Sequence, residues 1–336
     1  MVFFTLMVSC RNQPNDEKLP EQQEQMLLKM AQSYFTPLSK PDFENISPER
    51  KKIIELGRKL FYEKKISGDQ KINCANCHNI ADYGASNKTV TPGSNGLMGF
   101  RNAPSVINAH LQFALNWDAK YNNLEDQLSG MFFSKTEMGL QDSTQLIGRL
   151  KIDSEYTALF REAFPQSSAS LSMVNVRKAI ASFLRTLTSP GRFDDYLRGD
   201  TEALNYKEKI GIKSFIENGC VPCHSTALVG GGMAQKFALF GYYWDYTNSK
   251  KIDKGRYEIT KKPEDEYIFK VPQLRNVEKT FPYMHDGSVQ SLEEAVKIMA
   301  MTESNRQLDE KDVENIVAFL RSLTGYIPEH GKEKRN

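Results

Sequence analysis

Two Cys-x-x-Cys-His motifs are the residues of this chain best suited to chemistry. They are Cys74, Cys77 and His78 in the first half, and Cys220, Cys223 and His224 in the second. Together they hold four of the five cysteines and two of the five histidines, so nearly all of the cysteine in the chain lies in these motifs. Two thiols at this spacing can add to the two vinyl groups of one porphyrin, and the following imidazole can then bind the iron. Each motif therefore predicts one covalently attached c-type haem.

Two other chemistries are open to paired cysteines. Both pairs together could form a structural zinc site, or a pair could act as a thioredoxin-like redox dithiol. Zinc does not require a histidine directly after each second cysteine, and a thioredoxin-like motif occurs once in a βαβ pattern. Haem attachment is the interpretation that uses every residue of both motifs.

The N-terminal residues 1–10 resemble an export signal, which c-type haem attachment in bacteria requires. The short apolar run ends in Ser9 and Cys10, and a small residue before such a cysteine is typical of lipoprotein signals. The run has no basic region and has Met7 where leucine is usual, so a ragged apolar N-terminus is the alternative. We expect a periplasmic protein, with Cys10 as a candidate lipid anchor.

Composition excludes some partners. The 336 residues carry 44 basic and 42 acidic side chains, a net charge of +2, so no excess of positive charge predicts binding to nucleic acid. No later stretch approaches the roughly 18 apolar residues that span a bilayer. The stretch 11–24 is polar and rich in Gln, Asn and Glu, and we expect residues 11–45 to form a flexible tether.

The chain contains a duplication that places the two motifs in equivalent units. Residues 180–188 (IASFLRTLT) match residues 316–324 (IVAFLRSLT), and related helices precede the two motifs. Each unit therefore has the order helix, haem motif, long irregular segment and closing helix. This order predicts an all-α fold of two cytochrome c-like domains. We place the N-terminal domain at 46–190 and the C-terminal domain at 191–330.

Capping residues predict where several helices begin and end. Ser47 precedes a proline at the first helical position, and Ser291 with Glu294 forms a capping box. The last helix is predicted to begin near Asp309 and to stop before Gly325. Strand-like alternation is scarce, so helices must position the two motifs.

Further motifs resemble those of a known family. GFRNAPS at 99–105 follows the first haem motif, while LRNV at 274–277 and PYMHDG at 282–287 follow the second. Their order resembles that of the bacterial di-haem cytochrome c peroxidases, a family that also includes the MauG-like enzymes. The resemblance extends from about Ile53 to Gly325. It implies reduction of hydrogen peroxide to water with electrons from a small periplasmic donor, a cytochrome c or a cupredoxin.

The resemblance also assigns catalytic roles. The N-terminal haem, ligated by His78, would react with peroxide, and Gln127 and Glu137 would lie on its open face. A carboxylate there can move a proton from the near to the far oxygen of peroxide, and an amide can hold the peroxide. Taken alone, such polar residues are usually solvated surface residues. Trp117 matches a tryptophan that relays electrons between the haems, and a buried core tryptophan is the alternative.

The C-terminal haem would accept electrons, with His224 on one face and Met299 on the other. A thioether stabilises ferrous iron and so raises the reduction potential. By periodicity alone Met299 would be a core residue, and Met233, Met284 and Met301 compete with it. The MauG-like enzymes carry tyrosine here, so methionine favours plain peroxide reduction. A MauG-like oxidase of a protein or organic substrate, or a non-enzymatic di-haem electron carrier, is the alternative.

Three residues match positions that bind calcium between the domains in relatives, namely Asn102, Thr280 and Pro282. Side-chain and carbonyl oxygens suit this hard cation, while ordinary turn chemistry is the alternative. Arg101 and Arg275 are candidates to pair with haem propionates, as arginine pairs with carboxylates. A homodimer is compatible with the resemblance.

One loop departs from the family pattern. Well-known members carry a histidine there, which caps the peroxidatic iron in the oxidised enzyme and leaves on reduction. In this chain the loop is 91–99, and Ser94, a poor iron ligand, stands at the matching position. Met98 is a candidate substitute, and His110 is nearby, although its family equivalent is not a ligand. We therefore expect the N-terminal haem to be ready for peroxide without prior reduction.

Overall fold

The computed structural model describes residues 18–39 and 45–333. Its α-helices are α1 (Glu21–Tyr34), α2 (Pro48–Phe61), α3 (Leu124–Phe133), α4 (Ser143–Ile152), α5 (Ser154–Ala163), α6 (Met173–Leu184), α7 (Arg192–Leu197), α8 (Tyr206–Glu217), α9 (Tyr257–Thr260), α10 (Leu292–Ser304) and α11 (Glu310–Ser322). Single 3₁₀ turns lie at Lys64–Ile66, Cys74–Asn76, Ile80–Asp82, Ser94–Gly96, Ala109–Leu111, Thr201–Ala203, Tyr243–Asp245, Pro263–Asp265, Val277–Lys279 and Glu329–Gly331. None of these described helices is both long and apolar enough to cross a membrane.

A small sheet corrects the prediction of a purely α fold. Strands β1 (Ala234–Lys236) and β2 (Ile268–Lys270) pair antiparallel, with Ala234 opposite Lys270. Three-residue strands are too short to show alternation in a sequence, so the segment around 225–290 gave no strand signal. Helices nevertheless form most of the described secondary structure, as predicted.

The predicted N-terminal caps are present, but within the described residues no bond from the Glu294 side chain back to Ser291 completes the predicted capping box. The hydroxyl oxygens of Ser47 and Ser291 accept the backbone N–H three residues later, at 3.3 Å and 3.0 Å. The Asp309 carboxylate does the same at 2.7 Å, and α11 begins at the next residue. Each side chain satisfies an N–H that has no partner within its own helix, which fixes where the helix starts.

The duplication is visible as two crossed helix pairs. Helix α2 meets α6 at Gly57, where a Cβ atom would lie 1.9 Å from the carbonyl oxygen of Ala179. Helix α8 meets α11 at Gly211, where a Cβ atom would lie 2.0 Å from the carbonyl oxygen of Asn315. Only glycine permits backbones to approach this closely, so both units use one packing solution at the helix that precedes the haem motif.

Two apolar clusters form the core. The first draws its buried residues from Leu56 to Leu187, and the second from Phe193 to Leu323 together with α1. The C-terminal residues return to the first cluster, where the Tyr62 hydroxyl donates to the carbonyl of Gly331 at 2.7 Å. Each Cys-x-x-Cys-His motif thus lies within one cluster and follows one of the crossed helices.

The prediction of a flexible tether over residues 11–45 is wrong for α1. Its side chains pack into the second cluster, and the Glu24 carboxylate meets the Lys209 ammonium at 2.7 Å with both groups buried. The buried residues of this helix are Glu24, Leu27, Leu28 and Ala31. Their helical spacing was hidden by a polar composition, because composition averages over the two faces of a helix. Residues 11–17 and 40–44, and the signal segment 1–10 with Cys10, lie outside the described residues.

Candidate active site

The first Cys-x-x-Cys-His motif is held as a tight turn at the end of α2. The Asn73 N–H donates to the Asn76 side chain at 2.8 Å, and the Asn73 amide donates to the carbonyl of Tyr62 at 2.7 Å. The His78 N–H closes the turn on the Cys74 carbonyl at 2.9 Å. The asparagine that precedes the motif therefore ties both cysteines and the histidine to the helix before them.

The second motif repeats this arrangement after α8. The Cys220 N–H donates to the carbonyl of Phe215, and the His224 N–H donates to the carbonyl of Cys220 at 2.9 Å. The Nδ1 atom of His224 lies 3.3 Å from the carbonyl oxygen of Val229. A proton held on Nδ1 by this carbonyl leaves Nε2 as the nitrogen with a free lone pair, which is the state that a metal ligand needs.

Both histidines are kept neutral. Burial lowers the pKa of His78 to about 4 and the pKa of His224 to about 4, against small opposing contributions from nearby backbone groups. The Nδ1 atom of His78 is also buried and has no aligned hydrogen-bond partner in the described part of the chain. Neutral imidazole is the form that binds iron, so both side chains fit the role of proximal haem ligand.

The four motif cysteines form no disulfide bond with one another, and all are buried or half-buried. Burial raises the pKa of Cys74 to about 12 and that of Cys220 to about 12, which disfavours a reactive dithiol. Over residues 18–39 and 45–333, no group of three or more His, Cys, Asp or Glu side chains is placed to share a metal ion. The zinc and thioredoxin-like alternatives therefore lose support, and paired buried thiols beside a neutral imidazole fit two c-type haems.

Glu137 lies in a segment that two other parts of the chain hold in place. The Ser94 N–H donates to the carbonyl of Glu137 at 2.7 Å, and the Gly68 N–H donates to the carbonyl of Met138 at 2.7 Å. The Glu137 residue as a whole is exposed, yet desolvation of its carboxyl by the surrounding protein raises the pKa of Glu137, while a hydrogen bond from Ser134 opposes the shift. The charge of Glu137 also helps raise the pKa of Cys77, after the larger effect of burial, so this carboxylate lies near the first motif.

Gln127 lies on α3 and is half-buried. Its side-chain amide donates to the Asn116 side chain at 2.9 Å, next to Trp117. This bond orients the amide of Gln127 and connects it to the loop that carries the tryptophan. The structure gives no direct contact between Gln127 and Glu137, and their joint action stays a prediction.

Trp117 lies where the two halves meet. Its indole N–H donates to the carbonyl of Asn102 in the first half at 2.9 Å. Its own carbonyl accepts the N–H of Lys270 in the second half at 2.7 Å, and its ring lies edge-on to His285 with 6.5 Å between centroids. Bonds to both halves fix the indole between them, so this tryptophan has a defined place at the interface rather than within one core.

Met299 lies on the face of α10 that points to the second motif. At 100° per residue, Met299 is within about 60° of Leu292 and Val296, which belong to the cluster around Cys220. Met301 is about 140–180° from the same two residues, on the opposite side of the helix. The helix register therefore favours Met299 over Met301 as a partner for the second motif.

A third residue on this face supports the same register. Glu303 lies one turn beyond Met299, and its charge helps raise the pKa of Cys223 after the larger effect of burial. Of the other competitors, Met284 packs against a small separate cluster, and Met233 adjoins β1 at the end of the loop that follows His224.

The loop that contains Ser94 is pinned rather than free to swing. Ser94 is fully buried, and its hydroxyl oxygen accepts the N–H of Asp69 at 3.1 Å. The Asp69 carboxylate accepts the N–H of Asn95 at 2.8 Å, which with other bonds lowers the pKa of Asp69 to about 2. Met98, by contrast, is exposed, and burial lowers the pKa of His110 to about 4.

The candidate calcium residues lie in one neighbourhood. Asn102 donates from its side-chain amide to the carbonyls of Lys88 and Thr89. Gly287 lies beside both Thr89 and Pro282, because a Cβ atom added to it would lie 2.9 Å from that Thr89 oxygen and 3.1 Å from the ring of Pro282. Asn102 is bonded to the same Thr89 oxygen and is therefore close to the turn after Thr280. The arrangement gathers backbone carbonyl oxygens between the halves, as a hard cation requires.

The structure does not support Arg101 and Arg275 as propionate ligands. Arg275 is buried and meets both oxygens of Asp194, at 2.8 Å and 3.0 Å. Arg101 donates to Asp253 at 2.7 Å and also to Asp118. A guanidinium that already has carboxylate partners is satisfied within the chain, and residue type alone could not reveal those distant partners.

Comparisons with known proteins agree with this arrangement. The family model described as di-haem cytochrome c peroxidase matches residues 51–202. The chain is 39 % identical to cytochrome c551 peroxidase of Pseudomonas aeruginosa, over 82 % of this chain and 79 % of the relative. It is 37 % identical to the protein of the same name from Nitrosomonas europaea, over 84 % and 83 %.

A solved structure gives the same class. A MauG-like protein associated with microbial copper homeostasis superposes with a TM-score of 0.74 and 28 % identity, over 86 % of this chain and 93 % of that one. Two Cys-x-x-Cys-His turns in a duplicated helical scaffold fit a protein that binds two haems. With relatives at this level of identity over most of its length, the chain belongs to the di-haem cytochrome c peroxidase family.

Proposed function

We propose that this protein is a periplasmic cytochrome c peroxidase that reduces hydrogen peroxide to water with electrons from a small cytochrome c or cupredoxin. The observation that carries the proposal is the position of the Glu137 carboxyl, close enough to the first motif to act on Cys77. An electron carrier has no need of a proton-transferring group at this position. The proposal includes two c-type haems, one in each of two cytochrome c-like domains.

The motif residues hold the cofactors. Cys74 and Cys77 would form the thioethers of the first haem, and the two cysteines of the second motif would do the same for the other haem. His78 and His224 would bind the irons through Nε2. The haems, when bound, supply the redox chemistry that cleaves peroxide and stores one electron.

Glu137 and Gln127 would act on the open face of the first haem. An ionised Glu137 takes the proton from the near oxygen of peroxide and returns it to the far oxygen, so that water can leave. Desolvation of the carboxyl by the surrounding protein raises the pKa of Glu137, which makes its carboxylate a better proton acceptor. Gln127, oriented by Asn116, would hydrogen-bond the peroxide.

Trp117 and Met299 would serve electron delivery. The indole of Trp117 is fixed by bonds to both halves, which suits a relay between the two haems. The thioether of Met299, together with the imidazole of His224, would hold the second iron, and a thioether ligand would raise the reduction potential of that haem. Methionine rather than tyrosine at this position favours peroxide reduction over a MauG-like oxidation of a protein or organic substrate.

A calcium ion is proposed between the halves, bound by the side-chain oxygen of Asn102 and by the carbonyls of Thr280 and Pro282. The support is the approach of Asn102, Thr89 and Pro282 described above. Removal of calcium by a chelator should then weaken the coupling between the haems. Lipid attachment at Cys10 belongs to the same proposal and follows from the likeness of residues 1–10 to a lipoprotein signal. A homodimer follows from the family resemblance alone.

An exposed apolar patch lies beside the second motif and fits the electron donor. Its residues Leu239, Phe240 and Tyr242 are each about half exposed. The Phe240 N–H donates to the carbonyl of Thr302 on α10, one residue from the glutamate whose charge acts on Cys223. A small haem or copper protein that docks here would come close to the second haem, and apolar patches of this kind mark contact surfaces.

Steady-state peroxide consumption with a reduced small cytochrome tests the proposal on haem-loaded protein. We expect turnover that depends on both peroxide and the cytochrome. An electron carrier would show none, and a MauG-like oxidase would show little. Phe240→Ser should raise the KM for the cytochrome and leave the KM for peroxide unchanged, while Ile152→Ser, at an exposed site on α4, should change neither.

A further inference from the structure

Lys270 is a buried cation at the contact between the two halves. Lys270 is 4 % exposed. It is the last residue of β2 and is paired with Ala234 of β1. Its backbone N–H donates to the carbonyl of Trp117 at 2.7 Å. Its ammonium group donates to the side-chain oxygen of Gln112, a neutral acceptor.

No carboxylate of the described residues pairs with this ammonium. The other deeply buried cations are neutralised within the chain: Arg275 by Asp194, and Lys209 by Glu24, at 2.8 Å and 2.7 Å. Burial lowers the pKa of Lys270 to about 8, and no opposite charge offsets that shift. Because a buried, unpaired charge costs several kcal/mol, such a lysine normally has an anion beside it.

The neighbours of Lys270 lead directly to the second motif. The backbone of Val271 bonds both sides of the loop after His224, accepting the N–H of Gly231 at 3.1 Å and donating to the carbonyl of Met233 at 2.9 Å. A Cβ atom at Gly230 would lie 3.0 Å from the Nδ1 atom of His224. The strand that carries Lys270 is therefore bonded to the loop that packs against the proximal imidazole.

Gln112 makes the same connection from the other half. A Cβ atom at Gly231 would lie 3.1 Å from the side chain of Gln112, and the Phe113 N–H donates to the carbonyl of Gly231 at 3.0 Å. Gln112 thus brings its amide to both the ammonium of Lys270 and the loop after His224.

We infer that Lys270, oriented by Gln112, binds a propionate carboxylate of the haem attached at Cys220 and Cys223, and that its charge raises the reduction potential of that haem. The inference rests on the proposed haem-binding function. Each haem carries two propionates, and the two arginines that residue type suggested for them are already paired with aspartates. A positive charge near the iron favours the ferrous state, and this charge adjoins the backbone of Trp117.

The test is a spectroelectrochemical titration of both haems in loaded wild-type protein and in Lys270→Met, Lys270→Gln and Lys270→Arg. Methionine keeps the aliphatic stem and removes a buried charge, and glutamine is a second neutral variant. Lys236→Gln is the matched control, because it removes an exposed lysine from the same sheet.

In the neutral variants we expect the ratio of reduced to oxidised C-terminal haem at a fixed potential to fall about tenfold, a shift of about 59 mV for one electron. Lys270→Arg and Lys236→Gln should stay near wild type. The propionate bending band in the resonance Raman spectrum should shift in the neutral variants alone. An unchanged potential and band in either neutral variant overturns the inference.

Failure of the proposed function gives a different result. If wild-type protein binds both haems but does not consume peroxide, the peroxidase proposal fails while the potential shift still tests Lys270. If wild-type protein consumes peroxide and Lys270→Met has unchanged potentials, only the inference about Lys270 fails.

Discussion

Replacing Gly57 by alanine should destabilise the first half at the helix that leads into the first haem motif. An added Cβ atom would lie 1.9 Å from the carbonyl oxygen of Ala179 and 2.5 Å from its carbonyl carbon. Ordinary contacts are about 3.5 Å, so α2 and α6 must separate by more than 1 Å. Overpacking of this kind costs about 1–3 kcal/mol, more than the roughly 0.5–1 kcal/mol that alanine gains over glycine within a helix.

Gly148→Ala is the matched control. Gly148 also lies inside a helix, α4, but no atom lies within 4 Å of its added Cβ. Here the propensity gain acts alone, so we expect stabilisation by about 0.5–1 kcal/mol. Gly211→Ala, with a contact of 2.0 Å to Asn315, should repeat the Gly57 result in the second half.

Thermal unfolding of haem-loaded protein measures these effects, followed by far-ultraviolet circular dichroism. A change of 1 kcal/mol corresponds to about 2–4 °C in Tm for a unit of this size. Gly57→Ala and Gly211→Ala should unfold at lower temperature than wild type, and Gly148→Ala at higher temperature. Equal shifts of the same sign in all three variants would refute the argument, because helix propensity alone would then explain them.

Three predictions concern the site. Met299→Leu should abolish the thioether-to-iron charge-transfer band and lower the potential of the more positive haem. Met301→Leu should change neither the band nor the potential. The reverse result would assign the ligand to Met301. Glu137→Gln should lower peroxide turnover by about 10²-fold or more with unchanged haem spectra, and Glu162→Gln should not. Desolvation raises the pKa of Glu137, and the ionised form acts as base. The wild-type rate should therefore fall with falling pH at values above those of an ordinary glutamate, and Glu137→Gln should lack this pH dependence. With Ser94 buried, the oxidised protein should contain one high-spin haem and react with peroxide at once; two low-spin haems that require an added electron would contradict this expectation.

Features that depend on local sequence were predictable. Capping by Ser47, Ser291 and Asp309 involves residues three apart, so the pattern is complete within one turn. The repeated helices were visible because the same close approach at Gly57 and Gly211 requires glycine in both copies.

Features that depend on distant partners were not predictable. The arginine before each asparagine suggested propionate binding, yet Arg275 meets Asp194 and Arg101 meets Asp253, residues remote in sequence. Lys270 carried no motif at all. Its signal is the absence of a carboxylate partner in the described structure, which only the folded chain can reveal.

The two ends of the described chain each support the opposite half. Helix α1 packs on the second cluster, and the carbonyl of Tyr34 at its end accepts the N–H of Thr226, two residues after His224. The C-terminal segment packs on the first cluster, where a Cβ atom at Gly331 would lie 3.2 Å from Ile80, two residues after His78. Each terminus therefore buttresses the haem motif of the other half. Each end of the described chain thus packs on the opposite half and helps to hold the two halves together. Because Trp117 is hydrogen-bonded to both halves, the proposed electron relay between the haems would then keep a fixed geometry, which electron transfer between two separately folded units requires.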